Sequence, residues 1–464
     1  MNTSEVFEQV STSNKKTKTK ACKAVGLYPV VDQGQLPVSG YIDDADKVIN
    51  VDSPIIIFGD HTRVIKWINH DFVPGADGTK VLSPKQYLLP RFFYYQLRSI
   101  ELPDKGYSRH FKYLKESIFH VPALAEQKVI ASKLDKLLTQ TDTIKARLDN
   151  ITVILKRFRQ SILADAVSGK ITKEWRSINK DITLPINNDP QETEKKSGRH
   201  WGSGEVVELT NKEISLIPKS WEWRKVKDLN RGESVVQIGP MSMKSKDFTE
   251  NGIPVLNVGC VQYGYFVHNK LNYLPKSKLN EFIRYQVKKG DVVFTRSGTV
   301  GRCSVVSNKE NNFLMTFHLL RARPSVDICR SEYLYFAFRG APSVSRQTKE
   351  SQIGATRAGF NTKLLENIDI PLPPIEEQIE IIHNVEQYFS FIEQIEHRVN
   401  NAQTRINNLT QSILAKAFRG ELTKEWREQN LDLISEKNSA EALLKSIKPK
   451  LSSNKAKKKR KSKT

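Results

Sequence analysis

Residues 160–176 read QSILADAVSGKITKEWR, and residues 411–427 read QSILAKAFRGELTKEWR. The likeness extends towards the N-terminus at a constant offset of 251 residues, so that residues 121–176 align with residues 372–427 without a gap. Nineteen of the 56 aligned pairs are identical. Self-similarity of this kind is the signature of an internal repeat, and it indicates that the chain contains a duplicated unit.

The middle of each copy predicts a long helix. Positions spaced by alternating steps of four and three are apolar from 130 to 162 and from 381 to 413, and only Thr141 interrupts them. A period of 3.5 residues over more than four heptads is typical of a left-handed coiled coil. Gly169 and Gly420 suit the helix ends. We expect the two helices to form an antiparallel coiled coil within a pseudo-twofold internal repeat, although the linker also permits a parallel pair.

The segments before the two helices resemble each other more weakly. Each contains a short, buried-strand pattern, PIIIF at 54–58 and GDVVF at 290–294, and each continues into an aromatic run. Runs rich in β-branched residues between Gly and Asp are typical of strands. We therefore predict an α+β fold with two mixed α/β domains, in which Asp60 and Asp291 fix turns at matching strand ends.

The chain of 464 residues carries a net charge of +22, and the segment from Ala442 onwards supplies ten positive charges without an acid. A body that keeps a charge of about +12 attracts polyanions, among which nucleic acid is the commonest. The four cysteines are far apart, which fits a reducing cytoplasm, and no apolar run is long enough to cross a bilayer.

The order of domains and motifs resembles the specificity subunit of Type I restriction-modification enzymes, above all the enterobacterial group. The motifs that carry the resemblance are PALAEQ at 122–127, PPIEEQ at 373–378 and NNLTQSILAKAFRGEL at 407–422. The resemblance covers residues 28–427. One departure stands out, since IPKSWEW at 217–223 opens the second domain while the first has no such element. We therefore expect the first domain to be shortened or loosely closed.

The resemblance implies a DNA-binding subunit of a restriction system for host defence, cytoplasmic and associated with the nucleoid. Each target-recognition domain would read one half of a split, asymmetric site on double-stranded DNA, and the helix pair would set the spacer. Two modification subunits with S-adenosylmethionine would methylate adenine at N6. Two restriction subunits with ATP and Mg would translocate and cleave DNA. The complex would thus be a Type I site-specific deoxyribonuclease and adenine DNA methyltransferase.

These patterns divide the chain into six segments. They are recognition domain 1 (1–117), a central helical repeat (118–176), a linker (177–215), recognition domain 2 (216–367), a C-terminal helical repeat (368–427) and a disordered basic tail (428–464).

The sequence predicts no catalytic residue, cofactor or metal site in this chain. It lacks a GxxxxGK[ST] phosphate loop, an HExxH motif and a cysteine-histidine cluster. We interpret basic and polar residues just after predicted strands as DNA-binding candidates, because arginine can fork onto guanine and lysine can hold phosphate. These are Arg63, Lys66, Arg109, His110 and Lys112 in the first domain, and Lys244, Lys246, Arg296, Ser297, Arg302 and Arg357 in the second.

Docking of the modification subunits is assigned to the exposed flanks of the repeats. The candidates are Glu126, Gln127, Glu377 and Gln378, whose acids could instead serve only the helix N-terminus. We expect Trp175 and Trp426 to anchor the repeat ends against the domains. Three other functions stay open: a specificity module for a methyltransferase without restriction subunits, a structural coiled-coil scaffold, and, less favoured, a stand-alone nuclease.

Overall fold

A computed structural model describes residues 1–76, 78–106, 108–182, 206–231, 234–297, 300–350 and 360–445. The chain forms two compact units. Unit 1 combines Met1–Asp149 with Asn400–Thr464, and unit 2 is Asn150–Val399. The division falls inside both long helices, so that each unit contains a recognition domain together with segments of two helices that are distant in sequence.

The described residues of the unit 1 domain form seven strands and two short helices. These are β1 (Phe7–Gln9), β2 (Tyr28–Val31), β3 (Gly40–Ile42), β4 (Ile55–Gly59), β5 (Ile65–Ile68), β6 (Val73–Pro74), β7 (Thr79–Pro84), α1 (Pro90–Ser99) and α2 (Phe111–Glu116). The strands form a four-stranded antiparallel sheet in the order β1-β7-β4-β5 and a three-stranded sheet in the order β3-β2-β6. In the smaller sheet β2 and β6 are parallel.

The first long helix, α3 (Leu124–Val167), leads into unit 2, where the described residues of the domain form nine strands. The further elements are α4 (Lys173–Ile178), α5 (Asn211–Ile214), β8 (Glu222–Lys225), β9 (Val236–Ile238), β10 (Ile253–Leu256), β11 (Asn272–Leu274), α6 (Leu279–Phe282), β12 (Val292–Thr295), β13 (Cys303–Val305), β14 (Leu314–Met315), β15 (Leu319–Ala322), α7 (Ser331–Gly340), α8 (Pro342–Glu350), α9 (Thr362–Asn367), β16 (Asp369–Leu372), α10 (Ile375–Phe418) and α11 (Lys424–Gln429).

The two domains share a strand order. The sheets β13-β12-β15-β9 and β11-β10-β14 of unit 2 repeat the order and the strand directions of the two sheets of unit 1. The predicted strands at 54–58 and 290–294 are the central β4 and β12, and every residue of both strands is buried. The mixed α/β fold class is therefore confirmed, and each apolar run is a strand covered on both faces.

The first domain is closed at its N-terminus by other means than a Pro-x-x-Trp element. Asn2 forms a β-bridge with Ile118, and the Thr3 N–H donates to the Ser117 carbonyl over 2.9 Å. Strand β1 then pairs with β7, and Thr3 and Val6 are fully buried. The expectation of a loosely closed first domain is wrong, because these main-chain bonds seal its edge.

The segments of the long helices run in opposite directions within each unit. In unit 1, Lys133 donates to the Leu422 carbonyl over 3.0 Å, while further along α3 Asp149 accepts from Gln403 over 2.8 Å. In unit 2, Arg159 and Glu396 form a bidentate ion pair with distances of 2.9 and 3.0 Å, and just beyond the end of α3 the Thr172 hydroxyl donates over 2.7 Å to Glu377, near the start of α10. The apolar seam packs into the domain cores, for example through Leu134 in unit 1 and Val385 in unit 2.

The seam is not buried along its whole length. The exposed seam positions are Ile144, Phe158, Tyr388 and Leu409. A pair of helices has no third layer to cover this edge, and in unit 2 the Phe158 ring instead packs edge-to-face on Tyr388 with centroids 6.4 Å apart.

Gly169 and Gly420, which were expected at the helix ends, have φ values of +73° and +80°, as helix-terminating glycines do. Beyond the second end, residues 431–433 and 436–438 form 3₁₀ turns, so the predicted disorder from residue 428 does not hold for this stretch. The lysine-rich stretch 455–463 lies outside the described residues.

Candidate nucleic-acid interface

The turn after β12 in unit 2 holds Arg296 in a fixed main-chain position. Its N–H donates to the His318 carbonyl over 3.0 Å, and its carbonyl accepts from the Phe360 N–H over 3.1 Å. Ser297 follows, and its hydroxyl lies 3.1 Å from Nδ1 of His318. Two neighbouring elements therefore fix the start of this turn, which is the kind of rigid frame that carries a recognition residue.

The Arg296 side chain is supported by an aromatic ring and has no acidic partner among the residues that the structure describes. Its guanidinium lies 4.3 Å from the centroid of the Phe317 ring, close enough for a cation–π interaction. The side chain is partly buried, and this burial lowers the pKa of the guanidinium from its ordinary value. Within the described part of the chain, Arg296 forms no ion pair.

Two neighbouring arginines differ from Arg296 because both bind an acidic side chain of the same domain. Arg321 and Arg323 both bind the buried carboxylate of Asp291, with nitrogen–oxygen distances of 3.2 Å for Arg321 and 2.6 and 2.8 Å for Arg323. Asp291 also accepts the Lys288 N–H over 2.7 Å. These arginines neutralise a structural acid, whereas Arg296 does not.

The remaining candidates of the second domain differ in availability. Arg302 is partly buried and donates to the Gln262 side chain over 3.1 Å. Lys244 and Lys246 are exposed beside Asp247, whose carboxylate accepts from Lys278 over 2.5 Å. Arg357 lies outside the described residues.

Asp60 of the first domain occupies the main-chain position that Arg296 occupies in the second. Its N–H donates to the Gly78 carbonyl and its carbonyl accepts from the His110 N–H, both over 2.8 Å. The expectation that Asp60 matches Asp291 is wrong, since Asp60 follows β4 whereas Asp291 precedes β12. Both carboxylates do accept main-chain N–H groups, as predicted, and Asp60 binds that of Phe111 over 2.8 Å.

Three candidates in the first domain are accessible. Arg63 adopts a left-handed φ of +61° in the turn between β4 and β5, and its guanidinium lies 3.3 Å from Asp104. Arg109 and Lys112 are exposed, and the Lys112 ammonium lies 4.6 Å from the Tyr113 ring centroid. A basic surface therefore borders the turn that starts at Asp60.

Two candidates in the first domain are not accessible, which corrects their assignment. His110 is fully buried, with Nδ1 3.1 Å from the Asp60 carbonyl. Lys66 donates to the Leu36 carbonyl over 2.5 Å and lies 3.8 Å from Asp32, and burial lowers the pKa of its ammonium. The sequence marks both residues as polar, but tertiary packing turns them inward.

The four docking candidates are buried, so their assignment to an exposed flank is wrong. Glu377 accepts from Trp221 Nε1 over 2.8 Å, from the Thr172 hydroxyl over 2.7 Å and from Arg176. We name these residues the Glu377 clamp. The Glu126 clamp in unit 1 consists of Glu126, the Thr423 hydroxyl at 2.7 Å and Arg427 at 2.6 Å.

The side chains of the two glutamines bind main-chain groups of this chain and do not face a partner subunit. Gln127 accepts the Leu89 N–H over 3.0 Å, and Gln378 accepts the Arg330 N–H over 2.8 Å. The repeat ends are thus anchored by threonine and arginine in the clamps. Trp175 and Trp426, which were expected to be the anchors, are only partly buried.

An exposed apolar surface does lie on the helices of unit 2. We define the aromatic patch as Ile154, Phe158, Tyr388 and Phe391, whose exposed fractions range from 41% to 56%. Its members are spaced by four residues on α3 and by three on α10, so each helix presents them on one face. The contact between Phe158 and Tyr388 joins the two faces.

The part of the chain that the structure describes contains no group of three or more His, Cys, Asp or Glu residues that could hold a metal ion. Among the same residues, no helix is both long enough and apolar enough to traverse a bilayer.

Comparison with known proteins places the chain in a family. The family described as "Type I restriction modification DNA specificity domain" matches residues 1–153 and 218–403. The specificity subunit of the Type I restriction enzyme EcoBI from Escherichia coli is 35% identical over 89% of this chain and 81% of its own length. The EcoKI specificity subunit from E. coli strain K12 is 38% identical over 71% of this chain and 62% of its own length.

A solved structure shares the fold. A chain from a study of complex assembly and conformational transition in the type I R-M system superposes with a TM-score of 0.56 at 15% identity, covering 91% of this chain and 97% of that one. The family match over both domains and the identity to the EcoBI subunit agree with the motifs at the two helix starts. This chain therefore belongs to the family of Type I restriction-modification specificity subunits.

Proposed function

We propose that this chain is the non-catalytic subunit that selects DNA for a Type I restriction-modification complex, with each domain reading one half of a split, asymmetric site. Family membership and the net charge of +22 support this function. The observation that carries it is the guanidinium of Arg296, which is fixed on the Phe317 ring without an acidic partner among the described residues. Such a group can fork onto guanine O6 and N7 in the major groove, or hold a phosphate.

The two long helices set the distance between the half-sites. Each contains 44 residues, which corresponds to about 66 Å at 1.5 Å per residue. In this proposal they form an antiparallel coiled coil related by a pseudo-twofold axis. Inserting one heptad into each helix, at the level of Thr141 and Ile392, should lengthen the unread gap between the half-sites. An unchanged gap would refute the role of the helices as a spacer.

The partners are two modification subunits and two restriction subunits, which carry S-adenosylmethionine, ATP and Mg. We assign the docking of a modification subunit to the aromatic patch, because large apolar side chains exposed together mark interaction sites. Phe391→Ser should weaken assembly with the modification subunit, measured by co-purification. The matched control is Ile283→Ser, an equally exposed apolar residue elsewhere in unit 2.

The test of the main proposal is to co-express the chain with its modification subunit and sequence the cellular DNA for N6-methyladenine. We expect a split, asymmetric motif. Methylation of an unsplit motif would show that one domain does not read sequence. An assembled complex without any new methylation would contradict the proposal and favour a structural scaffold.

A further inference from the structure

A rigid turn between β10 and β11 stands beside the Arg296 turn. We name residues 262–265, Gln-Tyr-Gly-Tyr, the tyrosine tip. The Gln262 N–H donates to the Tyr265 carbonyl over 3.0 Å, and the Gly264 N–H donates to the Cys303 carbonyl over 3.1 Å. Gly264 has a φ of +86°, and a Cβ atom at this position would lie 2.7 Å from the Tyr335 hydroxyl. The tip therefore requires glycine and is fixed to β13.

The tip presents two aromatic rings to solvent. Tyr263 is 43% exposed and Tyr265 is 60% exposed. A tyrosine on a rigid turn loses little conformational entropy when it binds, and it offers a flat face for stacking. The packing of the apolar core does not explain why the Tyr263 and Tyr265 rings are exposed to solvent.

Two arginines without acidic partners flank the tip. The Arg339 guanidinium lies 3.8 Å from the Tyr263 ring centroid, and Arg302 donates to Gln262. Both arginines also have a buried Nε atom with no hydrogen-bond partner in the described part of the chain. Neither forms an ion pair there, in contrast to Arg321 and Arg323 on Asp291. Among the described residues, no acid therefore neutralises the charge of either arginine.

The tip is continuous with the Arg296 edge. Arg302 ends the turn that Arg296 begins, since its N–H donates to the Thr295 hydroxyl over 3.0 Å. The row Arg296, Arg302, Tyr263, Arg339 therefore runs from the proposed base-reading turn to the C-terminal part of α3, where Gln160 donates to the Arg339 carbonyl over 3.0 Å. Arginines beside exposed tyrosine rings suit a surface that follows the DNA backbone, where the arginines hold phosphates and the rings lie against phosphate and sugar.

We infer that the tyrosine tip is a second DNA contact of this domain, in which Tyr263 and Tyr265 pack against nucleotides while Arg302 and Arg339 bind phosphates. This inference rests on the proposed function and extends it from one turn to a continuous track. The described residues of the first domain form no equivalent track, because the shorter connection at 32–39 exposes Leu36 and accepts a hydrogen bond from Lys66. The two half-sites are thus held differently.

The experiment measures DNA affinity of the assembled complex with its modification subunit, on a duplex containing the methylated motif, across a range of salt concentrations. Tyr265→Ala should weaken binding roughly 5- to 30-fold through lost packing of the ring against the DNA backbone, and Tyr265→Phe should retain affinity. Arg339→Ala should lower the slope of log affinity against log salt by about 0.9, the value for one phosphate contact. Arg284→Ala is the matched control, since this arginine also covers a tyrosine ring, at 4.7 Å, away from the tip.

The outcomes separate the inference from the proposed function. If Tyr265→Ala and Arg339→Ala leave affinity and salt slope unchanged while Arg296→Ala weakens recognition of one half-site, the tip inference is wrong and the proposed function stands. If Arg296→Ala also has no effect, the proposed function fails. If Tyr265→Ala impairs assembly, but the assembled complex binds DNA normally, the tip contacts a protein partner and the inference is overturned.

Discussion

In the second domain the residue that follows the central strand is Arg296, and its guanidinium rests on the Phe317 ring. In the first domain the same main-chain position holds Asp60, whose carboxylate caps the Phe111 N–H and lies 3.5 Å from Lys80. The main-chain hydrogen bonds around the two residues correspond, yet the charge is reversed. The repeated fold therefore fixes a position in space without fixing the chemistry placed there, and two halves of one chain can recognise different DNA.

The Glu377 clamp and the Glu126 clamp differ in burial and in the number of hydrogen-bond donors. Glu377 has three donors, and its partner Arg176 is mostly buried, whereas Glu126 has two, with Arg427 about a third exposed. A clamp is thus present at both helix starts, and the one in unit 2 is more deeply buried.

The largest expected effect comes from removing the better-enclosed acid. Glu377→Ala should destabilise unit 2 by about 3–5 kcal/mol, because it leaves a buried arginine charge without its partner. Glu126→Ala should destabilise unit 1 by less, about 1–3 kcal/mol, since its arginine retains water. Hydrogen exchange of the two domains in each variant measures both losses. Equal losses of unfolding free energy in the two units would show that the difference in burial between the clamps does not affect stability.

Arg296→Ala should cost about 1–3 kcal/mol of discrimination at one half-site and leave the other half-site unchanged. Arg296→Lys should keep phosphate attraction but lose the forked contact, so affinity for unrelated DNA should survive while base preference is relaxed. Sequencing of N6-methyladenine in cells expressing each variant gives the preference at both halves. Equal loss at both halves would contradict the assignment of one domain to one half.

Arg63→Ala should weaken recognition of the opposite half-site by about 1 kcal/mol, at the low end for a base contact. The effect is smaller because Arg63 must leave Asp104 before it can bind DNA. Competition binding with duplexes altered in either half measures it. A loss at the half-site that Arg296 reads would reverse the assignment of the two domains.

Asp60→Asn should have the smallest effect. The amide oxygen can still accept the Phe111 N–H, so only the charge interaction with Lys80 is lost, worth at most about 1 kcal/mol. Thermal unfolding should change little, and methylation of both half-sites should persist. Loss of methylation at the first half-site would mean that Asp60 itself contacts DNA.

The sequence predicted the long helices and the central strands, because these depend on local periodicity and on short apolar runs. It did not predict which polar residues face inward. Glu126 and Glu377 look like exposed helix starts, yet their partners Arg427 and Arg176 are distant in sequence. His110 is buried for the same reason, since its burial depends on contacts that no local pattern encodes.

The candidate site was predicted only in part. Arg296 was found from its place after a strand and beside glycine, but its aromatic support Phe317 lies on a different segment. Arg339 and Tyr263 gave no signal, because they belong to separate elements and meet only in the folded domain. A search for exposed aromatic residues on glycine-containing turns would have found the tyrosine tip.

The interleaved composition of the two units has a consequence for biosynthesis. Unit 2 is continuous in sequence, but unit 1 needs residues 400–430 to cover helix α3 and Phe92. At about 5–20 residues per second, the ribosome takes on the order of tens of seconds to make residues 150–399. During this interval the nascent first unit exposes the face of Ile130 and Leu134 that α10 will cover. The domain made first is therefore completed last.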